Sequence, residues 1–227
     1  MLTQSTAVRL PDPPTPYAVT ANRKAGASES TPFIGVAMSF GRNAEIYAEG
    51  ETSGYVYKVL SGVVRVSKLL PDGRRQISAF HLPGEMFGFE ADAFHHASAE
   101  AVVPTKVIAF KWDGALGSTR HSDSVMRELL NLAVIGLRHG QDHLLLLGRK
   151  SALERLAAFL LEMIARTGAN RAIDLAMPRH DIADYLGLTL ETVSRMFAEL
   201  KGMGVIKLES ARRVHLVDLS KLTALSA

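Results

Sequence analysis

The stretch RHDIADYLGLTLETVSRM, residues 179–196, decides how the C-terminal part of this chain folds. Within it, Ala183 is the fifth residue, Gly187 the ninth and Val193 the fifteenth. An alanine lets two helices approach closely, a glycine turns the chain at positive φ, and a valine fills the space between the helices. The spacing therefore predicts a helix-turn-helix, and an ordinary helical hairpin that contains a glycine is the alternative. The predicted core of the pair is completed by Ile182, Leu186, Leu188 and Met196.

The second helix of this pair has two faces of different character. Its inner face is apolar and comprises Leu188, Val193, Met196, Phe197 and Leu200. On the other face, Glu191, Ser194 and Arg195 stand at spacings of three and four, which brings them together on a helix. Thr189 is placed to cap the N-terminus of this helix. Because the N-terminal side chains of such a helix enter the major groove, the predicted partner is double-stranded DNA.

Two short alternating apolar runs follow this helix, at residues 205–208 and 214–217. The polar turn between them carries Arg212 and Arg213. The pattern predicts a hairpin beside the helix-turn-helix, which is a winged arrangement. Adjacent arginines in such a turn are expected to contact phosphate groups, and a solvated turn is the alternative. The complete set of predicted phosphate contacts is Arg179, His180, Thr189, Thr192, Lys201, Arg212 and Arg213.

In the N-terminal half, apolar side chains recur at every second residue, a shorter period than that of a helix. From residue 39 to residue 112, short runs alternate between apolar and polar side chains and are separated by glycines. The segment LPDGRRQ, residues 70–76, supplies a Pro-Asp-Gly turn between two such runs, as expected of a hairpin. Strands spaced in this way predict an antiparallel sandwich or roll, so the fold class is α+β.

A heptad pattern joins the two halves. Its seam has alternating steps of four and three and extends over roughly 25 residues, or about 37 Å of helix. Such a helix can pair with its copy across a two-fold axis, and the alternative is a core helix packed on its own roll. Gly140 and the polar residues 139–143 weaken the coiled-coil prediction in the middle of the helix. The residues expected to form a dimer interface are Met126, Leu130, Ala133, Leu137, Leu144 and Leu147.

Ser151 and Glu154 form a capping-box pattern that predicts the start of a new helix. A boundary at Arg149 and Lys150 follows from it. The predicted organisation is a flexible N-terminal extension at residues 1–32, a β-roll domain at 33–120, a dimerisation helix at 121–148 and a winged helix-turn-helix domain at 149–227.

The composition excludes several kinds of site. The chain has no cysteine, which rules out disulfides, thiolate metal sites and cysteine-ligated iron–sulfur clusters. No long uncharged apolar run and no signal-peptide pattern is present, so we expect a cytoplasmic protein without a membrane partner. The net charge of +3 and the pI near 9.2 are compatible with nucleic acid but do not select it.

The order of glycine-punctuated roll, long heptad helix and winged helix-turn-helix resembles the CRP/FNR superfamily of bacterial transcription regulators from about residue 33 onward. Glu191, Ser194 and Arg195 match the E-x-x-S-R recognition signature of its FNR and FixK branch, which reads TTGAT-type half-sites. Leu190 stands where the cyclic-AMP receptor subgroup has an arginine, so the site preference of that subgroup is not expected. The resemblance implies a homodimeric activator whose second partner is RNA polymerase, contacted through loops such as residues 72–75.

The resemblance also allows a prediction of whether the roll binds a cyclic nucleotide. Gly84 and Glu85 match the Gly-Glu that binds ribose in cyclic-nucleotide receptors, but residues 91–102 contain no arginine for the cyclic phosphate. We therefore expect no cyclic nucleotide, with Gly84 a turn residue and Glu85 a solvated or structural carboxylate. The closest resemblance is to FixK-type regulators, which implies effector independence, no cofactor, no metal and target genes for low-oxygen respiration or nitrogen fixation.

Two other functions remain open at this point. One is a regulator gated by a small ligand in the roll. The other is a cupin-type enzyme, although the histidines of the roll lack the spaced His-Glu-His set that such a metal site needs. Haem would require axial ligands from the set His81, His95, His96 and Met86.

Overall fold

A computed structural model of the chain describes residues 35–111 and 123–226. The predicted N-terminal extension at residues 1–32 lies outside the described residues. The strands are β1 (Gly35–Phe40), β2 (Glu45–Tyr47), β3 (Tyr55–Ser61), β4 (Val64–Leu69), β5 (Arg75–His81), β6 (Met86–Phe87), β7 (Ser98–Ala101), β8 (Thr105–Lys111), β9 (Ala172–Asp174), β10 (Ile206–Leu208) and β11 (Arg213–Leu216). The helices are α1 (Asp123–Arg149), α2 (Ala152–Thr167), α3 (Arg179–Leu186), α4 (Leu190–Gly202) and α5 (Leu219–Leu225).

Two four-stranded antiparallel sheets form the roll. Their strand orders are β1-β8-β3-β6 and β2-β7-β4-β5. The predicted hairpin is present, because β4 and β5 pair from Val64 opposite His81 to Leu69 opposite Arg75. The two sheets share a buried cluster of Tyr47, Tyr57, Val59, Val64, Phe87, Ala99, Val107 and Ala109. The prediction of an antiparallel roll is confirmed.

Helix α1 has 27 residues, or about 40 Å, and joins the roll to the C-terminal domain. It spans Asp123–Arg149, against a predicted range of 121–148. Among the predicted interface residues, Ala133 is exposed, whereas Leu147 is half-buried against the C-terminal core. The side chain of Met126 lies outside the described residues. The most exposed apolar residues of α1, each 52% to 72% exposed, are Leu130, Val134, Ile135, Leu137, Leu144 and Leu145.

The start of α2 follows the predicted capping box. Ser151 Oγ accepts a hydrogen bond from the N–H of Glu154, and the Glu154 carboxylate accepts one from the N–H of Ser151. The exchange satisfies two N–H groups that a helix N-terminus otherwise leaves without partners. Among the described helices, α1 and α2 included, none has the length and apolarity needed to cross a membrane.

The wing has one strand more than the sequence pattern indicates. The predicted hairpin is present as β10 and β11, but β9 pairs with the other edge of β11 and places Ile173 opposite Val214. A C-terminal helix, α5, inserts the fully buried Leu222 into the hydrophobic core of the C-terminal domain. Neither element was predicted, because three residues and seven residues are too few to show a periodic pattern.

The roll and the C-terminal domain share one hydrophobic core. The buried cluster that contains Phe159, Leu186 and Phe197 extends into the roll through Ile77 and Phe80. The ring centroid of Phe80 lies 5.2 Å from that of Tyr185 in α3. The packing of apolar side chains therefore continues from the second sheet of the roll into the helix-turn-helix.

Gly62 and Gly73 provide a test of the packing within the roll. Both have positive φ, +88° and +84°. A Cβ at Gly62 would lie 2.4 Å from Thr105 Oγ1, whereas one at Gly73 would meet nothing within 4 Å. We expect Gly73→Ala to lower the free energy of unfolding by about 1–2 kcal/mol through left-handed strain. Gly62→Ala should lower it by about 1–3 kcal/mol more through overpacking. Urea unfolding measures both, and equal losses would contradict the close approach of Gly62 to Thr105.

Candidate nucleic-acid interface

The predicted helix-turn-helix is formed by α3 and α4. Gly187 ends α3 in the left-handed conformation, with φ 61° and ψ 39°, and its N–H donates to the carbonyl oxygen of Ala183. The N–H of Leu188 donates to the same oxygen at 3.0 Å. Thr189 then begins α4 in an extended conformation, and its hydroxyl accepts from the N–H of Thr192 at 3.2 Å. The tight turn requires a residue that tolerates positive φ, which is why glycine stands there.

The inner face of α4 packs as predicted. Val193 and Leu200 are fully buried and Met196 and Phe197 nearly so, while Leu188 is half-buried. They pack with Ile182 and Leu186 of α3 in the shared core. This packing determines which side of α4 remains exposed.

Glu191, Ser194 and Arg195 lie on the exposed side of α4. The side chains of Ser194 and Arg195 form no hydrogen bond or ion pair with any residue that the structure describes. The N–H of Glu191 itself, and after it the Thr189 hydroxyl, hold the pKa of the Glu191 carboxyl below its usual range. At neutral pH the surface therefore offers one carboxylate acceptor, one hydroxyl and one free guanidinium.

Several predicted phosphate contacts are also exposed. His180, Thr189, Lys201 and Arg212 lie at the surface, and Thr192 is half-buried. Within residues 35–111 and 123–226, the side chains of Lys201 and Arg212 have no acidic partner. His180 Nε2, by contrast, lies 3.1 Å from Asp181 Oδ1.

Arg213 is not a free cation of the wing. Its guanidinium pairs with Asp174 of β9 at 3.0 Å and with Glu209 at 3.1 Å. The two adjacent arginines therefore differ, because Arg212 is available to an added anion and Arg213 is already neutralised by two carboxylates. The sequence did not distinguish them, since Asp174 lies on the unpredicted strand β9.

Arg179 is half-buried at the start of α3. Its Cζ atom lies 3.2 Å from the centroid of the Phe197 ring. Burial lowers the pKa of Arg179 to about 10, so the side chain remains charged at neutral pH. Its Nη1 is buried and has no hydrogen-bond partner among the described residues. A buried N–H without an acceptor is unfavourable.

The Gly-Glu pair of the roll has a partner that the sequence did not reveal. Gly84 has a positive φ of 93°, as expected of a turn residue. Glu85 accepts hydrogen bonds from Arg166 Nη2 at 2.7 Å, from Arg166 Nε at 3.1 Å and from the N–H of Leu82 at 3.0 Å. Burial alone would raise the pKa of Glu85, but the bonds from Arg166 and Leu82 outweigh it and lower that pKa. Glu85 is thus a structural carboxylate that joins the roll to α2.

The roll histidines occupy separate environments. The His95 ring stacks on Tyr47 with centroids 3.6 Å apart, and the exposed His96 pairs with Asp92 at 2.8 Å. Burial lowers the pKa of His81 to about 4, so its imidazole is neutral at pH 7. Among the described residues, no group of three or more histidines and carboxylates is arranged to hold a metal ion.

Comparison with known proteins agrees with both halves of the fold. The cyclic nucleotide-binding domain family matches residues 37–116, and the Crp-like helix-turn-helix domain family matches residues 154–225. The nitrogen fixation regulation protein FixK of Rhizobium meliloti is 46% identical over 80% of this chain and 82% of that protein. The chain belongs to the CRP/FNR family of transcription regulators.

Other relatives support the same assignment. FixK of Azorhizobium caulinodans is 42% identical over 92% of this chain and 86% of its own length. The solved structure of FixK2 from Bradyrhizobium japonicum superimposes with a TM-score of 0.81 at 45% identity, over 86% of this chain and 98% of that one. The expected fold class and the resemblance to FixK-type members of the CRP/FNR family are confirmed.

Thr189 provides a test of the cap on α4. Thr189→Ala removes the oxygen that accepts from the N–H of Thr192, and we expect the free energy of unfolding to fall by about 0.5–2 kcal/mol. Thr189→Ser keeps the hydroxyl and should remain within about 0.5 kcal/mol of the parent. Urea unfolding compares the variants. A serine variant as unstable as the alanine variant would show that the methyl group, and not the cap, matters.

Proposed function

We propose that this regulator is a homodimeric activator that binds a palindromic TTGAT-type site, with one α4 helix in each half-site. The observation that supports it most directly is the exposed set of Glu191, Ser194 and Arg195 on a helix whose opposite face is buried. The chain is divided in this proposal as predicted from the sequence, into a roll at 33–120, a dimerisation helix at 121–148 and a DNA-binding domain at 149–227.

The chemistry of these three side chains suits base recognition. Arg195 can donate two hydrogen bonds to O6 and N7 of a guanine, and Glu191 can accept one from the N4 amine of a cytosine. Ser194 can bond to a neighbouring base as donor or acceptor. Each good bidentate contact contributes about 1–3 kcal/mol of discrimination against the wrong base. The exposed cations Lys201 and Arg212, with His180 and Arg179, are proposed to bind phosphates and so place α4 in the groove.

Dimerisation is proposed through α1. Its exposed apolar residues include Leu130, Leu137 and Leu144 of the predicted seam, together with Val134, Ile135 and Leu145. Large exposed apolar side chains in this number on one helix are uncommon on a monomer and are usually covered by a partner. Two copies related by a two-fold axis would present their α4 helices to half-sites about one helical turn, or roughly 34 Å, apart.

Regulation without a small effector is part of the proposal. The Glu85 carboxylate is already bound by Arg166, and residues 91–102 contain no arginine that could neutralise a cyclic phosphate. The relatives named as nitrogen fixation regulators favour target genes for nitrogen fixation. Genes for low-oxygen respiration are the other proposed targets. RNA polymerase is the proposed second partner, and the exposed turn that carries the ion pair of Asp72 and Arg74 is the proposed contact.

Selection of preferred sites from random DNA, without any added ligand, tests the proposal as a whole. We expect a palindrome with TTGAT-type half-sites. Selection of such a site only after a metabolite is added would favour the alternative of a ligand-gated regulator.

Arg195→Ala tests base reading. We expect a loss of about 1–3 kcal/mol on the preferred site and relaxed selectivity at the guanine that Arg195 contacts. The contrasting variant is Arg212→Ala, which should weaken binding to all sequences alike and reduce the salt slope by about one. Fluorescence anisotropy with duplexes substituted at each position measures both. If Arg195→Ala instead weakened all duplexes equally, Arg195 would be a phosphate contact.

Leu137→Glu tests the interface on α1. Leu137 is 64% exposed in the single chain, so the substitution should not disturb the fold, but it would place a charge within the proposed apolar seam. We expect monomers by sedimentation and loss of binding to the full palindrome. Leu69→Glu, at a leucine that is 67% exposed on β4, is the matched control and should remain dimeric. A dimeric Leu137→Glu protein would place the interface elsewhere.

A further inference from the structure

A cluster of ion pairs joins the roll to the side of α3 that faces it. Asp181 of α3 is fully buried, and its Oδ2 accepts from Nη1 of Arg65 at 2.8 Å. Arg65 lies on β4, with only 6% of its side chain exposed, and its Nε donates to Glu100 at 2.9 Å. The carboxylate of one domain is therefore neutralised by an arginine of the other.

Arg75 of β5 extends the cluster along α3. Its Nη2 lies 2.5 Å from Asp181 Oδ1, and its Nε donates to Asp184 Oδ2 at 2.8 Å. Asp181 and Asp184 are three residues apart on one face of the helix, so a single guanidinium contacts both. Arg75 thereby binds α3 at two points and opposes its rotation about its own axis.

Buried charges make this contact sensitive to position. A buried ion pair is not in itself strongly stabilising, but separating its partners leaves an unpaired charge in a medium of low dielectric constant. A guanidinium also binds carboxylates with a planar geometry that tolerates little displacement. Displacement of α3 from the roll would separate Asp181 from Arg65 and Arg75 together and leave only His180, at 3.1 Å, beside the buried carboxylate. The ion pairs therefore favour one placement of α3 on the roll.

Helix α1, the proposed dimerisation helix, also contacts α3 and β5 beside these ion pairs. His143 of α1 has its Nε2 2.8 Å from the carbonyl oxygen of Tyr185 in α3 and its Nδ1 3.2 Å from that of Ser78 in β5. Its ring stacks on the Tyr185 ring with centroids 4.2 Å apart. The proposed dimer axis, the roll and α3 are thus linked through one group of contacts.

Helix α4 follows any movement of α3, because Ala183 accepts from both N–H groups of the turn and the inner face of α4 packs on α3. We propose that Arg65 and Arg75 are positioning residues that determine which spacing between half-sites the dimer accepts. The inference rests on the proposed function. The arginines contact no DNA in this proposal and act only by holding α3 on the roll.

The experiment compares operators of different spacing. Duplexes carry the wild-type half-sites at the preferred separation or at one base pair more or fewer, which shifts a half-site by about 3.4 Å. We expect wild-type protein to lose about tenfold or more in affinity when the spacing changes. Arg75→Gln should bind the preferred duplex less tightly and reduce the loss for altered spacing to about threefold or less. Arg75→Lys, which keeps the charge, should restore part of the selectivity.

Arg74→Gln is the matched control. Arg74 is adjacent to Arg75, but it is 78% exposed and pairs only with Asp72 of its own turn among the described residues. The control should keep wild-type spacing selectivity. Equal losses at all spacings for Arg75→Gln, or unchanged selectivity, would overturn the inference. A wild-type protein that binds no palindrome would instead overturn the proposed function.

A second experiment measures the distance between the roll and the wing in the protein free of DNA. Because the chain lacks cysteine, Lys58→Cys on β3 and Ala211→Cys in the wing turn can carry a donor and an acceptor dye. Labelled copies are diluted into unlabelled protein so that each dimer holds at most one labelled chain. We expect a single narrow distribution of the distance between the dyes in the labelled parent protein and in its Arg74→Gln variant. The Arg75→Gln variant should give a broader distribution. A distribution that remains narrow in Arg75→Gln would contradict the positioning role.

Discussion

The buried carboxylate of Asp181 constrains how the helix-turn-helix is placed on the roll. An ionised group without solvent must be met by positive charge, and here Arg65 and Arg75 of the roll supply it. The first helix of the helix-turn-helix is therefore held against the β4–β5 hairpin and not left free on a linker. The apolar contact of Phe80 with Tyr185 lies beside these ion pairs, so hydrophobic packing and charge pairing act at the same junction.

The surface of α4 that is proposed to read DNA is joined to this junction through α3. Burial of Val193, Phe197 and Leu200 determines the rotation of α4 about its axis, and with it the exposure of Glu191 and Arg195. The surrounding cations are unequal, because Arg213 is neutralised by Asp174 and Glu209 while Arg212 is not. The proposed function assigns affinity to Lys201 and Arg212 and selectivity to Glu191, Ser194 and Arg195, which is the usual division between phosphate and base contacts.

In the roll, the Gly-Glu pair that matches the ribose-binding pair of cyclic-nucleotide receptors makes a contact within the protein. Gly84 and Glu85 form the turn expected from the sequence, but the carboxylate is bound by Arg166 of α2, 81 residues further along the chain. An internal guanidinium thus meets the charge of the turn and links the roll to the C-terminal domain. Arg166 also pairs with Glu162 in the preceding turn of α2, which orients its side chain toward the roll.

The sequence by itself determined the elements whose signal is local. Periodicity revealed the roll and α1, Ser151 and Glu154 revealed the start of α2, and the positions of Ala183, Gly187 and Val193 revealed the helix-turn-helix, because each depends on neighbours within a few residues. Only the tertiary structure decided which charges meet. Arg65 and Asp181 are 116 residues apart, and β9 is too short to show a pattern. Neither the ion pairs between the roll and α3 nor the neutralisation of Arg213 could therefore be predicted. Such partners are chosen by the packing of whole domains, which local propensity does not encode.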